Sequence, residues 1–477
     1  MNILFVASEC APFVKTGGLA DVIGAVPKAL APLGAHVRVL LPAYPALAME
    51  VSRGTEVLSL PDLMGGHARV VAVSAKGIDL LLLEAPHLFD RPGNIYLDGN
   101  GQDWHDNYLR FAALSRAGAL IGDGALDDWK PDLVNAHDWQ AALVPAYMAL
   151  AGSTVPTVMT IHNIAFQGVF GADVLAAIGL PWDMQSVERG EYYGRFSFLK
   201  TGLTMASRIT TVSPTYAREL MEPEYGMGLD GVMRARAADL SGIVNGIDLD
   251  VWNPEDDANA PEGYSARTLR KKAINKEALE GRFGLTRGEG PLFCVISRMT
   301  TQKGLDLLLE AMPTLLERDA RLAIVGSGDK WMEHAFSDAA THHAGRVGTI
   351  IGYDEGLSHL MQAGADAILV PSRFEPCGLT QLYGLRYGTI PVVARTGGLA
   401  DTVIDANLAA LDAGCATGVQ FAPVTAVALG QAIDRTCDLF SDQKVWTAMQ
   451  RRAMKHPVGW DASARAYLSL FSALTES

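Results

Sequence analysis

The stretch Ser372-Arg-Phe-Glu-Pro-Cys-Gly-Leu-Thr-Gln381 follows a short apolar run, Ala367-Ile-Leu-Val370, that is closed by Pro371. Such a run reads as a buried strand. Beyond it, Leu382-Tyr-Gly-Leu-Arg-Tyr387 has helical character and Ile390-Pro-Val-Val-Ala394 is another strand. Glu375, Cys377, Gly378, Leu379 and Thr380 thus fall on a strand-to-helix turn. In open parallel α/β sheets, ligands gather at the carboxyl ends of strands. A helix starting near Gly378 would aim unpaired N–H groups at an anion. Glu375 adds a carboxylate able to accept bonds from sugar hydroxyls. Together they suit a nucleotide sugar. A plain βα turn with a solvated Glu is the other reading.

The alternation continues on both sides. Residues 292–296 read as a strand ending in Ser297-Arg298; the loop 299–303 carries Lys303, and a helix follows over 304–312. Strands at 323–325 and 349–351 end in Gly326-Ser-Gly-Asp329, a partial dinucleotide fingerprint, and in Gly352-Tyr353. Near the start, strands at 2–8 and 37–41 flank a helix over 19–33, a βαβ unit. Its first connection holds Lys15-Thr-Gly-Gly-Leu-Ala-Asp21. Two glycines allow close backbone approach to a ligand, and Lys15 adds a phosphate-seeking charge. A tight turn without ligand explains the glycines equally well. Thr16-Gly-Gly-Leu-Ala-Asp21 recurs word for word as Thr396-Gly-Gly-Leu-Ala-Asp401, again between strand and helix. Two similar α/β domains are therefore expected, divided near residue 241, before the polar segment 253–261.

Within the first half, 70–74 and 79–83 read as a hairpin, followed by a polar loop 92–102 and a helix over 104–120. Tyr96 in that loop is an ordinary aromatic unless a sugar lies near. Strands at 132–135 and 156–161 run into His137-Asp138-Trp139 and His162-Asn163, at positions that can face a ligand cleft. A structural hydrogen bond is the main reading for His137. The aromatics of 165–205 read chiefly as core, with a polysaccharide-facing surface as the alternative. The chain closes on a helical segment, 460–474.

The length suits about three domains, or two large α/β ones. With 49% hydrophobic and 19% charged residues, burial suffices for full cores. A net charge of −14 disfavours a nucleic-acid partner, while a phosphorylated ligand stays possible because clefts concentrate local charge. Cysteines 10, 294, 377, 415 and 437 form neither a C-x-x-C pair nor an even set, which argues against a disulfide frame or zinc site and for a cytoplasmic setting. The N-terminus lacks a signal-peptide pattern and no apolar run reaches membrane-spanning length, so no membrane partner is expected. No metal-ligand spacing appears, and no cofactor is expected.

Taken together, Lys15–Asp21, Ser297-Arg-Met-Thr-Thr-Gln-Lys-Gly304 and Glu375-Pro-Cys-Gly-Leu-Thr-Gln381 resemble the bacterial glycogen synthase and plant starch synthase family. His137-Asp-Trp139, His162-Asn163, Asn245-Gly-Ile-Asp248 and the 396–401 copy add to the resemblance. It implies an α/β protein with two Rossmann-like domains facing a deep cleft (GT-B type), here 1–241 and 242–457, and a C-terminal helix, 458–477, crossing back to the first domain. It implies transfer of glucose from ADP-glucose to the non-reducing 4-OH of an α-1,4-glucan such as glycogen, with retention and without a metal. By the same resemblance Lys15, Arg298 and Lys303 hold the diphosphate. Glu375, Cys377, Gly378, His162 and Asn245 surround the glucose, with Asp138 and Trp139 nearby. Tyr353 lies by the adenine and Tyr96 near the acceptor; Gly18, Asp21, Leu379 and Thr380 complete the candidate substrate contacts. Because these residues lie on both sides of 241, closure of the domains on the donor is expected.

One position departs from the wider superfamily. Many retaining two-domain glycosyltransferases carry a second Glu eight places after the first, and here Tyr383 stands there. Glu375 is therefore assigned to hydroxyl binding rather than to a paired-carboxylate scheme. The rivals are a UDP-sugar transferase with a small acceptor, a phosphorylase, which needs a lysine-bound pyridoxal phosphate, and a non-catalytic nucleotide-sugar or glucan sensor.

Overall fold

The computed structural model describes residues 1–476. The chain divides into two compact units, residues 1–245 with the chain end from Trp460, and Gly246–Gly459.

In the first unit the apolar strand Asn2–Val6 lies mid-sheet, paired in parallel with His36–Pro42 and Leu133–His137. It has no polar alternation, the pattern of a strand covered on both faces. One side of the sheet continues in parallel through Thr157–Ile161, Arg208–Thr211 and Leu240–Gly242. The other continues through Ile78–Glu84 and then turns antiparallel through Ala68–Ala75 and Thr55–Leu60. The expected hairpin is present, turning at Lys76 and Gly77, both with positive φ, as primed hairpin turns require.

A small antiparallel sheet joins Val169–Phe170, Arg195–Ser197 and Glu191–Tyr192. It resolves the two readings of the 165–205 aromatics by position. Phe196 and Phe198 are fully buried, while Trp182 and Tyr193 are 68% and 77% exposed. The helix Asp461–Thr475 packs within this unit against Gly18–Leu30, and its buried Phe471 meets Phe5 edge-on at 6.5 Å. Burying such a ring is worth about 1.5–3 kcal/mol. The chain end thus returns to the first unit.

The second unit is built on six parallel strands, in the order Val347–Ile351, Arg321–Gly326, Leu292–Ile296, Ala367–Val370, Ile390–Ala394, Val419–Phe421. The chain lays down three strands outward and then returns to place Ala367–Val370 beside the first of them. That reversal makes a switch point, where the loops after Leu292–Ile296 and Ala367–Val370 diverge from adjacent strand ends. These two loops carry Arg298, Lys303 and Glu375. The first unit repeats the device: Leu133–His137 returns beside Asn2–Val6, so the Lys15 loop and His137-Asp138 leave adjacent strands.

Candidate active site

In the second unit Lys303 closes a short 3-10 turn, Thr301–Lys303, ahead of the helix Leu305–Glu317. Gly304 stands between them at φ 67, where a Cβ would lie 1.9 Å from the carbonyl oxygen of Pro371. Only glycine permits that approach, and it brings the lysine turn against the Ser372–Glu375 segment. Arg373 fastens the two from the other side. Its guanidinium donates to both carboxylate oxygens of Asp306, at 2.7 and 2.6 Å, and to the carbonyl of Thr301. The result is a short contact: Lys303 Nζ donates to Glu375 Oε2 at 2.6 Å, and Ser372 Oγ donates to the same oxygen at 2.8 Å. Both groups are largely withdrawn from water, which makes the pair stronger than a surface ion pair.

The helix behind this loop begins at Thr380 rather than at Gly378, with no side-chain cap. Gln381 binds the turn from within, donating to the carbonyls of Cys377 and Gly378 and to Thr402 Oγ1. The repeated motif forms the wall beside it. Gly398 N–H donates to the carbonyls of Glu375 and Pro376, and a Cβ on Gly397 would lie 1.9 Å from Glu375 O. Leu379 precedes the helix, and Cys377 is buried and in no disulfide. Arg298 is exposed at the head of its loop, and Tyr353 is exposed beyond the outer strand Val347–Ile351. Tyr383 stacks on Trp252 at 3.6 Å, and Trp252 stacks on His359 at 3.8 Å.

In the first unit a relay runs through buried side chains at the strand ends. Thr160 Oγ1 donates to Asn135 Oδ1, which turns the Asn135 amide nitrogen toward His137 Nε2 at 3.0 Å. With that nitrogen accepting, His137 Nδ1–H donates to His162 Nε2, also at 3.0 Å. His162 is thereby fixed as the tautomer protonated on Nδ1. Burial holds the His137 imidazole well below its usual range and brings that of His162 down to about 3, so both are neutral. Asp138, at φ 54, accepts the backbone N–H of His162 at 2.7 Å; burial pushes its carboxyl up to about 7. The structural bond expected for His137 is present, and its partner is a candidate site residue.

Trp139 packs into the core against Phe111, Phe170 and Phe198, at 4.9, 5.8 and 6.1 Å. Asn245 is buried, and its Oδ1 has no hydrogen-bond partner among the described residues. Lys15 Nζ lies 2.8 Å from Asp21 Oδ1, and Gly18 opens the helix Gly18–Leu30. Tyr96 donates its hydroxyl to Glu9 Oε1 at 2.5 Å and lies 2.7 Å from Ser8 Oγ. Sequence reading gave no role to Glu9, Ser372, Arg373 or Gln381. Ser372, Arg373 and Gln381 lie within the 372–381 stretch itself, whereas Glu9 stands outside any motif, six residues before Lys15.

Residues 2–235 match the family model of the starch synthase catalytic domain, and residues 280–454 that of glycosyl transferases group 1. The chain is 63% identical to a glycogen synthase of Roseobacter denitrificans and 55% identical to glycogen synthase 1 of Rhizobium meliloti, in each case over 99% of both chains. Among solved structures, the catalytic domain of starch synthase IV from Arabidopsis thaliana, bound to ADP and acarbose, aligns with a TM-score of 0.87 and 30% identity. The match covers 100% of this chain and 99% of that one. Sucrose-phosphate synthase from Thermosynechococcus elongatus shares the fold, with a TM-score of 0.58 at 17% identity over 99% of each chain.

Proposed function

The chain belongs to the glycogen and starch synthase family of glycosyltransferases, and from that premise we propose that it builds glycogen, moving glucose from ADP-glucose onto an α-1,4-glucan. The observation that carries the assignment of roles is the 2.6 Å contact between Lys303 and Glu375 at the switch point of the second unit. It sets a cation for the departing diphosphate beside a carboxylate for the sugar.

Cleaving a glycosyl–phosphate bond leaves positive charge on the sugar and negative charge on the diphosphate. Arg298 grips the diphosphate with its planar fork, and Lys303 and Lys15 add point charges. Glu375 uses Oε2 for Lys303 and Ser372, which leaves Oε1 for a glucose hydroxyl. Neutral His162 donates from Nδ1 to a sugar oxygen, and the orphaned Oδ1 of Asn245 accepts from another hydroxyl. Cys377, Gly378, Leu379 and Thr380 line the glucose; Tyr353 lies along the adenine. Asp138 acts by holding the His162 backbone, and Trp139 by packing into the core beside Asp138 in the chain.

The acceptor 4-OH attacks the anomeric carbon from the face that the diphosphate leaves. The bond from carbon to phosphate oxygen breaks, the departing oxygen takes the hydroxyl proton, and configuration is retained. Tyr383, held in its ring stack, offers no second carboxylate, in keeping with this path rather than a glycosyl-enzyme.

The chain works in the cytoplasm on this reading, supported by its bacterial glycogen synthase relatives and by five cysteines that form no disulfide among the described residues. No helix among the described residues is long and apolar enough to cross a membrane. The test is direct: incubate the protein with radiolabelled ADP-glucose or UDP-glucose, with and without glycogen, and count precipitable label. Incorporation from ADP-glucose that depends on glycogen is expected. Incorporation from UDP-glucose alone, or none, overturns the assignment.

A further inference from the structure

Glu9 lies just past the first strand and belongs to no motif, yet the residue is 3% exposed and its carboxylate takes four hydrogen bonds. Oε2 accepts from the backbone N–H of Thr16 at 2.5 Å and of Gly17 at 3.2 Å. Oε1 accepts from Thr16 Oγ1 at 2.6 Å and from Tyr96 at 2.5 Å. The Tyr96 hydroxyl in turn lies 2.7 Å from Ser8 Oγ. Burial and the Glu9 charge hold the Tyr96 pKa well above its ordinary value, so the phenol keeps its proton and donates. The segment between is pinned as well, with Ala11 N–H donating to Ala20 O and a Cβ on Gly24 landing 2.3 Å from Ala11 O.

The occupied donors matter. The amides of Thr16 and Gly17 stand at the entry of the helix Gly18–Leu30, where a glycine-rich loop would turn its N–H groups to a phosphate. Here an internal carboxylate already fills that place. A diphosphate at the same amides would displace Glu9 or meet its charge at contact distance. The first Thr-Gly-Gly turn is therefore an anion site satisfied from within, and its contribution to a donor rests on Lys15.

We infer that Glu9 is a positioning residue: its carboxylate sets the Thr16–Gly17 turn that presents Lys15, and Tyr96 ties this turn to the loop that carries it. Tyr96 thus acts through Glu9, its hydroxyl being spent on that bond. The inference rests on the glucosyl-transfer reading and on the role given there to Lys15.

A double-mutant cycle on turnover tests it, with Glu9→Gln, Lys15→Ala and the pair in the full-length chain. If Glu9 acts through Lys15, Glu9→Gln slows transfer about tenfold or more, the scale of losing a charge-assisted contact in the transition state. The double variant is then no slower than Lys15→Ala within about twofold, because the effects share one route. A general structural role would instead add its loss to that of Lys15→Ala. Additive losses, or a Glu9→Gln enzyme within about twofold of the parent, overturn the inference. Thr16→Val, which removes one donor and leaves the carboxylate, should show the same non-additivity more weakly; it decides the matter if Glu9→Gln does not fold. A parent protein that moves no glucose from ADP-glucose contradicts the transfer reading itself, a different failure from additivity.

Discussion

Lys303 Nζ and Glu375 Oε2, 72 residues apart in the chain, meet at 2.6 Å where two loops leave neighbouring parallel strands. The contact joins two proposed roles that lie far apart in the sequence, diphosphate holding for Lys303 and sugar holding for Glu375. A change on either side should therefore reach the other.

Lys303→Ala should keep the fold and lose at least two orders of magnitude in turnover. Removing one contact made in the transition state typically costs about 2.7–4 kcal/mol. Steady-state kinetics alongside a thermal melt checks this. Near-normal turnover would make Lys303 a structural partner of Glu375 only.

Glu375→Gln should lower turnover far more than it weakens ADP binding, since the carboxylate is assigned to the sugar. The variant also removes the charge partner of Lys303, so calorimetric ADP affinity should hold or rise. Equal losses in turnover and ADP affinity would reduce Glu375 to a buttress of its turn. A covalent glucosyl-enzyme caught by mass spectrometry would restore the nucleophile role.

The pH dependence has a sign. Burial brings His162 down to about 3, so it stays neutral and donating across pH 5–9 and contributes no activity limb near 6.5. An activity limb near 7 would belong to Asp138, whose carboxyl is raised to about 7, and should vanish in Asp138→Asn. Their stability terms oppose each other. Between about 3 and 6.5 the unfolded chain binds the His162 proton that the native state refuses, so this term gains stability as pH rises. Asp138 is protonated longer in the native state, so its term loses stability as pH rises from about 4 to 7. A limb near 6.5 that disappears in His162→Gln would contradict the neutral-donor role.

Much of this architecture is legible in the chain, because a buried parallel strand is written as a continuous apolar run, and the loop after it is where candidate site residues are sought. Lys15, His162, Arg298 and Glu375 all stand at such places. What sequence leaves hidden are ties that depend on which loops become neighbours. Nothing local in Glu9 shows that it caps the Lys15 turn, or in Arg373 that it clamps Asp306. The two Thr-Gly-Gly-Leu-Ala-Asp copies are the clearest case. One turn wraps an internal carboxylate, whereas the other packs its glycines against the carbonyls of the Glu375 loop. Identical words serve different neighbours.

Transfer should survive exhaustive EDTA treatment. Among the described residues no three His, Cys, Asp or Glu side chains gather into a metal-holding group, and three cations are assigned to the diphosphate. Complete loss restored by Mg²⁺ or Mn²⁺ would contradict that assignment.

The activity proposed for this chain is retaining transfer of glucose from ADP-glucose to the non-reducing end of an α-1,4-glucan. It is tested most directly by extending maltoheptaose with radiolabelled ADP-glucose and digesting the product with β-amylase, which removes maltose from non-reducing ends across α-1,4 bonds. One ADP released per glucose added is expected, with all of the label recovered as maltose. Label left on the undigested chain, or hydrolysis to free glucose in place of extension, would contradict it.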